Sequence, residues 1–82
     1  MKLISNKALR EFAVKHPAAE MPLQNFRLLV EKGRFTSFAD LKTTFGSVDK
    51  VGECFVFNIG GNKYRLIAAI AFTPQPLWVK AI

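Results

Sequence analysis

Cysteine and histidine are almost missing from this chain: Cys54 is the one thiol and His16 the one imidazole among 82 residues. A lone cysteine excludes an internal disulfide, and the two residues together cannot supply the His/Cys ligand set of a zinc site. Acidic residues are also scarce, six in all and not clustered, so no calcium or magnesium cage is expected. No glycine-rich loop precedes a helix, which removes the nucleotide-cofactor motifs. The longest apolar run, Leu66 to Phe72, falls far short of a membrane span, and MKLISNK lacks the apolar core of a secretory signal. Metal, cofactor and membrane are therefore not expected, and a reducing cytoplasm fits the unpaired thiol. Repeats, low-complexity tracts and linkers are missing too, which leaves a single domain over 1–82.

Half of the residues are hydrophobic, eight of them Phe, too apolar a composition for disorder and ample for a packed core. Twelve Lys and Arg against six Asp and Glu give a net charge of +6, an excess that favours polyanionic partners, nucleic acid first. An anionic membrane surface or an acidic protein answers to the same field, so charge alone does not choose.

Leu3 and Ile4 read as a short opening strand, followed by a helix capped by Ser5, running to about Lys15 and stopped by His16-Pro17. Its core face is Leu9, Phe12 and Ala13, while Lys7, Arg10, Glu11 and Lys15 form a polar, mostly basic flank. A second helix is expected from about Ala18 to Lys32, beginning nearer Met21 if Pro22 is to stay in the first turn. Leu23, Phe26, Leu29 and Val30 form its buried stripe and Gly33 ends it. A short third helix starts at Ser37, whose hydroxyl caps it, with Phe38, Leu41 and Phe45 as anchors and Lys42 pointing away from them. The polar stretch from Ser47 to Glu53 holds a turn or a weak strand.

CFVFNIGGNKYRLIAAIAF, from Cys54 to Phe72, writes a β-hairpin. Gly60-Gly61 fits the two central positions of a type I′ turn, where positive φ is needed. Both faces of the first strand are apolar, so it is expected to be central, covered on both sides, and to bury Cys54 as an inert thiol. On the returning strand Lys63 and Arg65 share one face. Pro74-Gln75-Pro76 then forces a connection, and Leu77 to Ile82 returns antiparallel. Arg65 is either a planar anion clamp for phosphate or an ordinary strand arginine paired with a carboxylate or lying exposed; the residues leave both open.

RNA carries its own nucleophile, the 2′-hydroxyl, so a protein without an acid/base pair can assist cleavage by orienting the phosphate and neutralising its developing charge. The order of elements, with DLKTTFGSVDKV containing Lys42 and FNIGGNKYRL containing Asn58, Gly60, Gly61, Asn62 and Arg65, resembles HigB-type toxins of the RelE/ParE superfamily. The resemblance implies an α+β, RelE-like fold: two N-terminal helices and a short third helix packed on a small, mainly antiparallel β-sheet. It also implies a metal-independent endoribonuclease, an mRNA interferase acting on the ribosome, held inactive by a HigA-type antitoxin with a helix-turn-helix domain.

Carried over residue by residue, the resemblance makes Arg65 and Lys42 the catalytic cations. RNA contacts are then expected from Lys63, Asn62 and the flank Lys7, Arg10 and Lys15. In that family the last strand leads into a Thr-His-x-x-Tyr-Asp segment with candidate acid/base groups. This sequence stops before it, on an apolar strand, so the reading expects a C-terminally truncated chain with weak or absent cleavage, its fold and antitoxin binding surviving. Two other readings stay open: a ParE-like gyrase inhibitor, and a noncatalytic basic RNA-binding domain. Early loss of intact mRNA in a cell-free extract selects the nuclease; intact mRNA with blocked supercoiling selects the inhibitor; salt-sensitive binding to unbroken RNA selects the third.

Overall fold

The computed structural model describes residues 1–82 apart from Ser5, Asn62 and Pro74. The helix cap expected of Ser5, the RNA contact expected of Asn62 and the Pro74 position of the connection therefore lie outside the described residues. The chain runs β1 (Lys2–Ile4), α1 (Asn6–Lys15), a 3-10 turn (Pro17–Ala19), α2 (Glu20–Lys32) and α3 (Phe38–Thr44), followed by β2 (Asp49–Val51), β3 (Cys54–Ile59), β4 (Tyr64–Ile70) and β5 (Pro76–Ala81). The five strands form one sheet in the order β1-β5-β4-β3-β2, antiparallel except for the β1–β5 pair. This is the α+β architecture expected, three helices on a mainly antiparallel sheet.

Phenylalanines decide which face the helices cover. Phe55, Phe57 and Ile59 of β3 are buried, as are Leu66 and Ala68 of β4, which lie opposite Phe57 and Phe55 in the register. Phe57 packs edge-on against Phe26 of α2, with ring centroids 4.9 Å apart, and against Phe45 after α3, at 5.1 Å. Phe38 of α3 meets Phe55 and Phe12 of α1 meets Tyr64, so all three helices share that face. Interlocked rings of this kind contribute about 0.5–1.5 kcal/mol per pair beyond their burial.

The other face of β3, with Cys54, Val56 and Asn58, is only half-buried. The strand is central, as expected, but it is not covered on both sides, and Cys54 is not sealed away. Apolar composition on both faces is a fair sign of a sandwiched strand; with all three helices committed to the Phe face, no second layer remains among the described residues.

Local signals account for most boundaries. Pro22 sits in the first turn of α2, and the residues before it, 17–19, tighten into the 3-10 turn rather than extending the α-helix. Leu29, assigned to the buried stripe, is 36% exposed. At 3.6 residues per turn it lies roughly a quarter turn from the line of Leu23, Phe26 and Val30. The hairpin differs from the two-residue turn expected. Ile59 pairs with Tyr64, so four residues connect the strands, and both glycines adopt positive φ (62° and 71°) inside that longer loop. Lys63 consequently belongs to the loop, its N–H facing the Gly60 carbonyl at 3.5 Å, and does not share a strand face with Arg65.

Gly33 ends α2 with an extended backbone (φ −82°), so a left-handed turn is not why glycine stands there. A Cβ at this position would lie 2.3 Å from the ring of Phe35, which is 4% exposed. Gly33→Ala is expected to destabilise the protein by about 1–3 kcal/mol in urea unfolding. Gly46→Ala, which meets nothing within 4 Å, is expected to change it by less than about 0.5 kcal/mol.

The start of α3 is doubly capped. Ser37 Oγ accepts the Asp40 N–H at 3.2 Å, and Asp40 Oδ2 accepts the Thr36 N–H at 3.1 Å together with the Thr36 hydroxyl. The hydroxyl bond, then the backbone bond, holds the Asp40 carboxyl below the ordinary carboxylate pKa. A depressed carboxyl stabilises the fold above its unfolded pKa and loses that contribution as pH falls through the folded value. Acid titration monitored by circular dichroism checks this: Asp40→Asn should lower stability at pH 7 and flatten the loss that the native protein shows below about pH 4.

Candidate functional site

The open face of the sheet gathers side chains from three strands around one hollow. Strand register places Asp49 of β2 beside Val56 of β3, and Asn58 of β3 beside Arg65 of β4, so alternate residues of three strands point away from the helices. Ser47, Asp49, Val51, Val56, Asn58 and Arg65 line a hollow of about 190 Å³ on this face. Arg65 is exposed, and the ion pairs among the described residues, Lys7–Glu11 and Arg27–Glu31, do not include it. Its guanidinium therefore stands at an open surface rather than folded onto a carboxylate. A planar donor fork on a rigid strand can hold a phosphate through paired, charge-assisted bonds.

The other cations assigned to the site are placed differently. Lys42 Nζ donates to the Val48 carbonyl at 3.1 Å and lies 5.7 Å from the centre of the Phe38 ring. It does not line the hollow, yet the peptide it grips lies between two residues that do, Ser47 and Asp49. Lys63 lies in the hairpin loop and is outside the hollow's lining as well. Lys7, Arg10 and Lys15 belong to α1, which packs on the opposite side of the sheet through Leu9 and Phe12. Lys7 pairs with Glu11 at 3.7 Å, and Lys15 lines a separate groove of about 570 Å³ between α1 and β5, together with Lys80. The structure brings these three into no common hollow with Arg65.

Asp49 and Ser47 are not singled out by sequence because the polar stretch 47–53 signals only a turn or weak strand. The signal was present as alternation: Val48 is buried, while Ser47, Asp49 and Val51 take the opposite parity. Trp78, opposite Ala69 on the same face, is 40% exposed and adds an aromatic surface beyond the hollow. His16 is stacked on Phe12 at 4.4 Å, against the helix side of the sheet, so it cannot act beside Arg65. Among the described residues, no three of His, Cys, Asp and Glu gather where they could hold a metal ion.

Comparison with known proteins gives a consistent result. Residues 19–82 match the family HigB_toxin, a RelE-like toxic component of a toxin-antitoxin system. The chain is 33% identical over 85 aligned positions to the mRNA interferase toxin HigB of Escherichia coli (strain K12), an alignment that takes in 100% of this chain and 82% of that protein. The mRNA interferase HigB of Escherichia coli O157:H7 gives the same figures. The mRNA interferase HigB of Escherichia coli O6:H1 (strain CFT073) is 28% identical with the same coverage. With most of its length inside one family pattern and its helices and sheet arranged as that resemblance implied, the chain belongs to the HigB_toxin family of RelE-like toxins of toxin-antitoxin systems.

Proposed function

We propose that this toxin is an mRNA interferase, a metal-independent endoribonuclease that cuts messenger RNA on the ribosome in the cytoplasm and is silenced by a HigA-type antitoxin with a helix-turn-helix domain. The observation that carries the reading is Arg65: exposed, on the helix-free face, lining a hollow, and without an ion-pair partner among the described residues. In the reaction the 2′-hydroxyl gives its proton to water and attacks the adjacent phosphorus, the P–O5′ bond breaks to leave a 2′,3′-cyclic phosphate, and the departing 5′-oxygen takes a proton from water. Arg65 donates to the non-bridging oxygens, whose negative charge grows as the pentacoordinate state forms.

Lys42 acts at the margin of this site. Its bond to the Val48 carbonyl fixes the segment that presents Ser47 and Asp49, and its charge adds to the attraction for the phosphate backbone. Lys63, in the hairpin loop, and Asn62, its neighbour in sequence, contact phosphates flanking the cut. Lys7, Arg10 and Lys15 contribute long-range attraction from the other face, an effect that fades with salt because it rests on counterion release.

Arg65→Ala is expected to slow mRNA cleavage by about 10²–10³-fold. Because the side chain is exposed, its loss should move stability by less than about 0.5 kcal/mol. Primer-extension mapping in a translation extract measures the first; wild-type cleavage by Arg65→Ala would remove the guanidinium from the reaction. Lys42→Ala should cost about 0.5–1.5 kcal/mol of stability through the lost bond to Val48, a loss visible in thermal unfolding.

A further inference from the structure

The hollow around Arg65 contains a carboxylate, and a pure phosphate site would not. Asp49 lines it, and among the described residues its carboxylate takes part in no ion pair or hydrogen bond. Asp49 shares a row with Val56 and Ile67, while Arg65 lies two residues along β4 from that row. Ladder spacings of 4.8 Å between strands and 3.4 Å per residue then separate their Cα atoms by about 12 Å across the sheet. The two side chains converge on one hollow without closing on each other. A ligand that satisfies both must offer an anion at one end and N–H donors at the other.

We propose that Asp49 reads the base edge of the nucleotide whose phosphate Arg65 holds, and that it selects guanine. The inference rests on the hollow being the RNA site. An ionised carboxylate only accepts hydrogen bonds, through two oxygens side by side. The Watson–Crick edge of guanine presents N1–H and the N2 amine side by side, which matches that pair of acceptors. Cytosine and adenine each present one exocyclic amine next to a ring-nitrogen acceptor. Uracil presents a single N–H between two carbonyl oxygens, both repelled by the carboxylate. Guanine is therefore favoured most and uracil least. Val51, 63% exposed, and half-buried Val56 offer apolar surface for the face of the base, and the Ser47 hydroxyl lies in the same lining. Single-stranded RNA is read in this way, with bases splayed out and recognised along their edges.

Binding of 2′-O-methylated tetranucleotides, which cannot be cut, tests the assignment independently of cleavage. In four such RNAs differing in one central base, fluorescence anisotropy should show the guanine RNA binding about 5- to 100-fold tighter than the uracil RNA. Asp49→Asn should erase that discrimination, whereas Arg65→Ala should weaken all four RNAs alike. Equal affinity for guanine and uracil RNAs, or an unchanged preference in Asp49→Asn, overturns the proposal. A uniform gain for all four RNAs in Asp49→Asn, with the guanine preference intact, also overturns it, because the carboxylate then acts only as a negative charge. Discrimination in binding with unmodified mRNA left whole would sink the nuclease reading while leaving the Asp49 assignment standing.

Discussion

Phe57 is the point on which the structure depends. It stands at the middle of β3 with the rings of Phe26 and Phe45 against it, and those two rings also meet each other at 5.5 Å. That contact pins α2 and the end of α3 to the same face of the sheet, and Phe12 and Phe38 tie α1 and the start of α3 to it on either side. A chain of this size has one such aromatic layer to build. Because every helix among the described residues is spent on it, the opposite face has no covering layer among them, and Cys54, Val56 and Asn58 stand half-open there.

That asymmetry separates two kinds of electrostatics. The net charge of +6 comes from cations scattered along the whole chain, and the two ion pairs among the described residues are exposed i,i+4 pairs that neutralise little. Such a field draws in a polyanion without choosing among its parts. Choice needs fixed geometry, and fixed geometry is found where three strands set Asp49, Asn58 and Arg65 on one pleated surface. A toxin of a toxin-antitoxin system also has an antitoxin to accommodate, and a partner that binds only the folded toxin stabilises it by mass action. The α1–β5 groove and the sheet hollow lie on separate surfaces, so masking of one does not by itself require contact with the other.

Wherever the chain's own neighbours settle the matter, sequence was sufficient. Ser37 announces α3 and does cap it; Pro22 limits where α2 can begin; Phe, Val and Ile alternation names β3; the paired glycines mark the reversal before β4. Arg65 could be singled out as a strand cation because strand parity is local. The length of the hairpin loop was not legible, since it is set by the pairing of Ile59 with Tyr64 across the ladder, and that pairing moved Lys63 out of the strand.

Tertiary structure alone decided the rest, for one physical reason: partners far apart in sequence fix faces and registers that short-range propensity cannot. The parallel seat of β1 against β5 joins the two ends of the chain, and no local signal reveals it. Which side of β3 is covered depended on where Phe26, Phe38 and Phe45 could pack together. The pairing of Asp49 with Val56 brought a carboxylate from an unassigned stretch into the hollow of Arg65. The sequence by itself determined that this chain would form a small basic α+β domain with an arginine on a strand; the assembled sheet decided that this arginine faces open space with an acid in the same hollow.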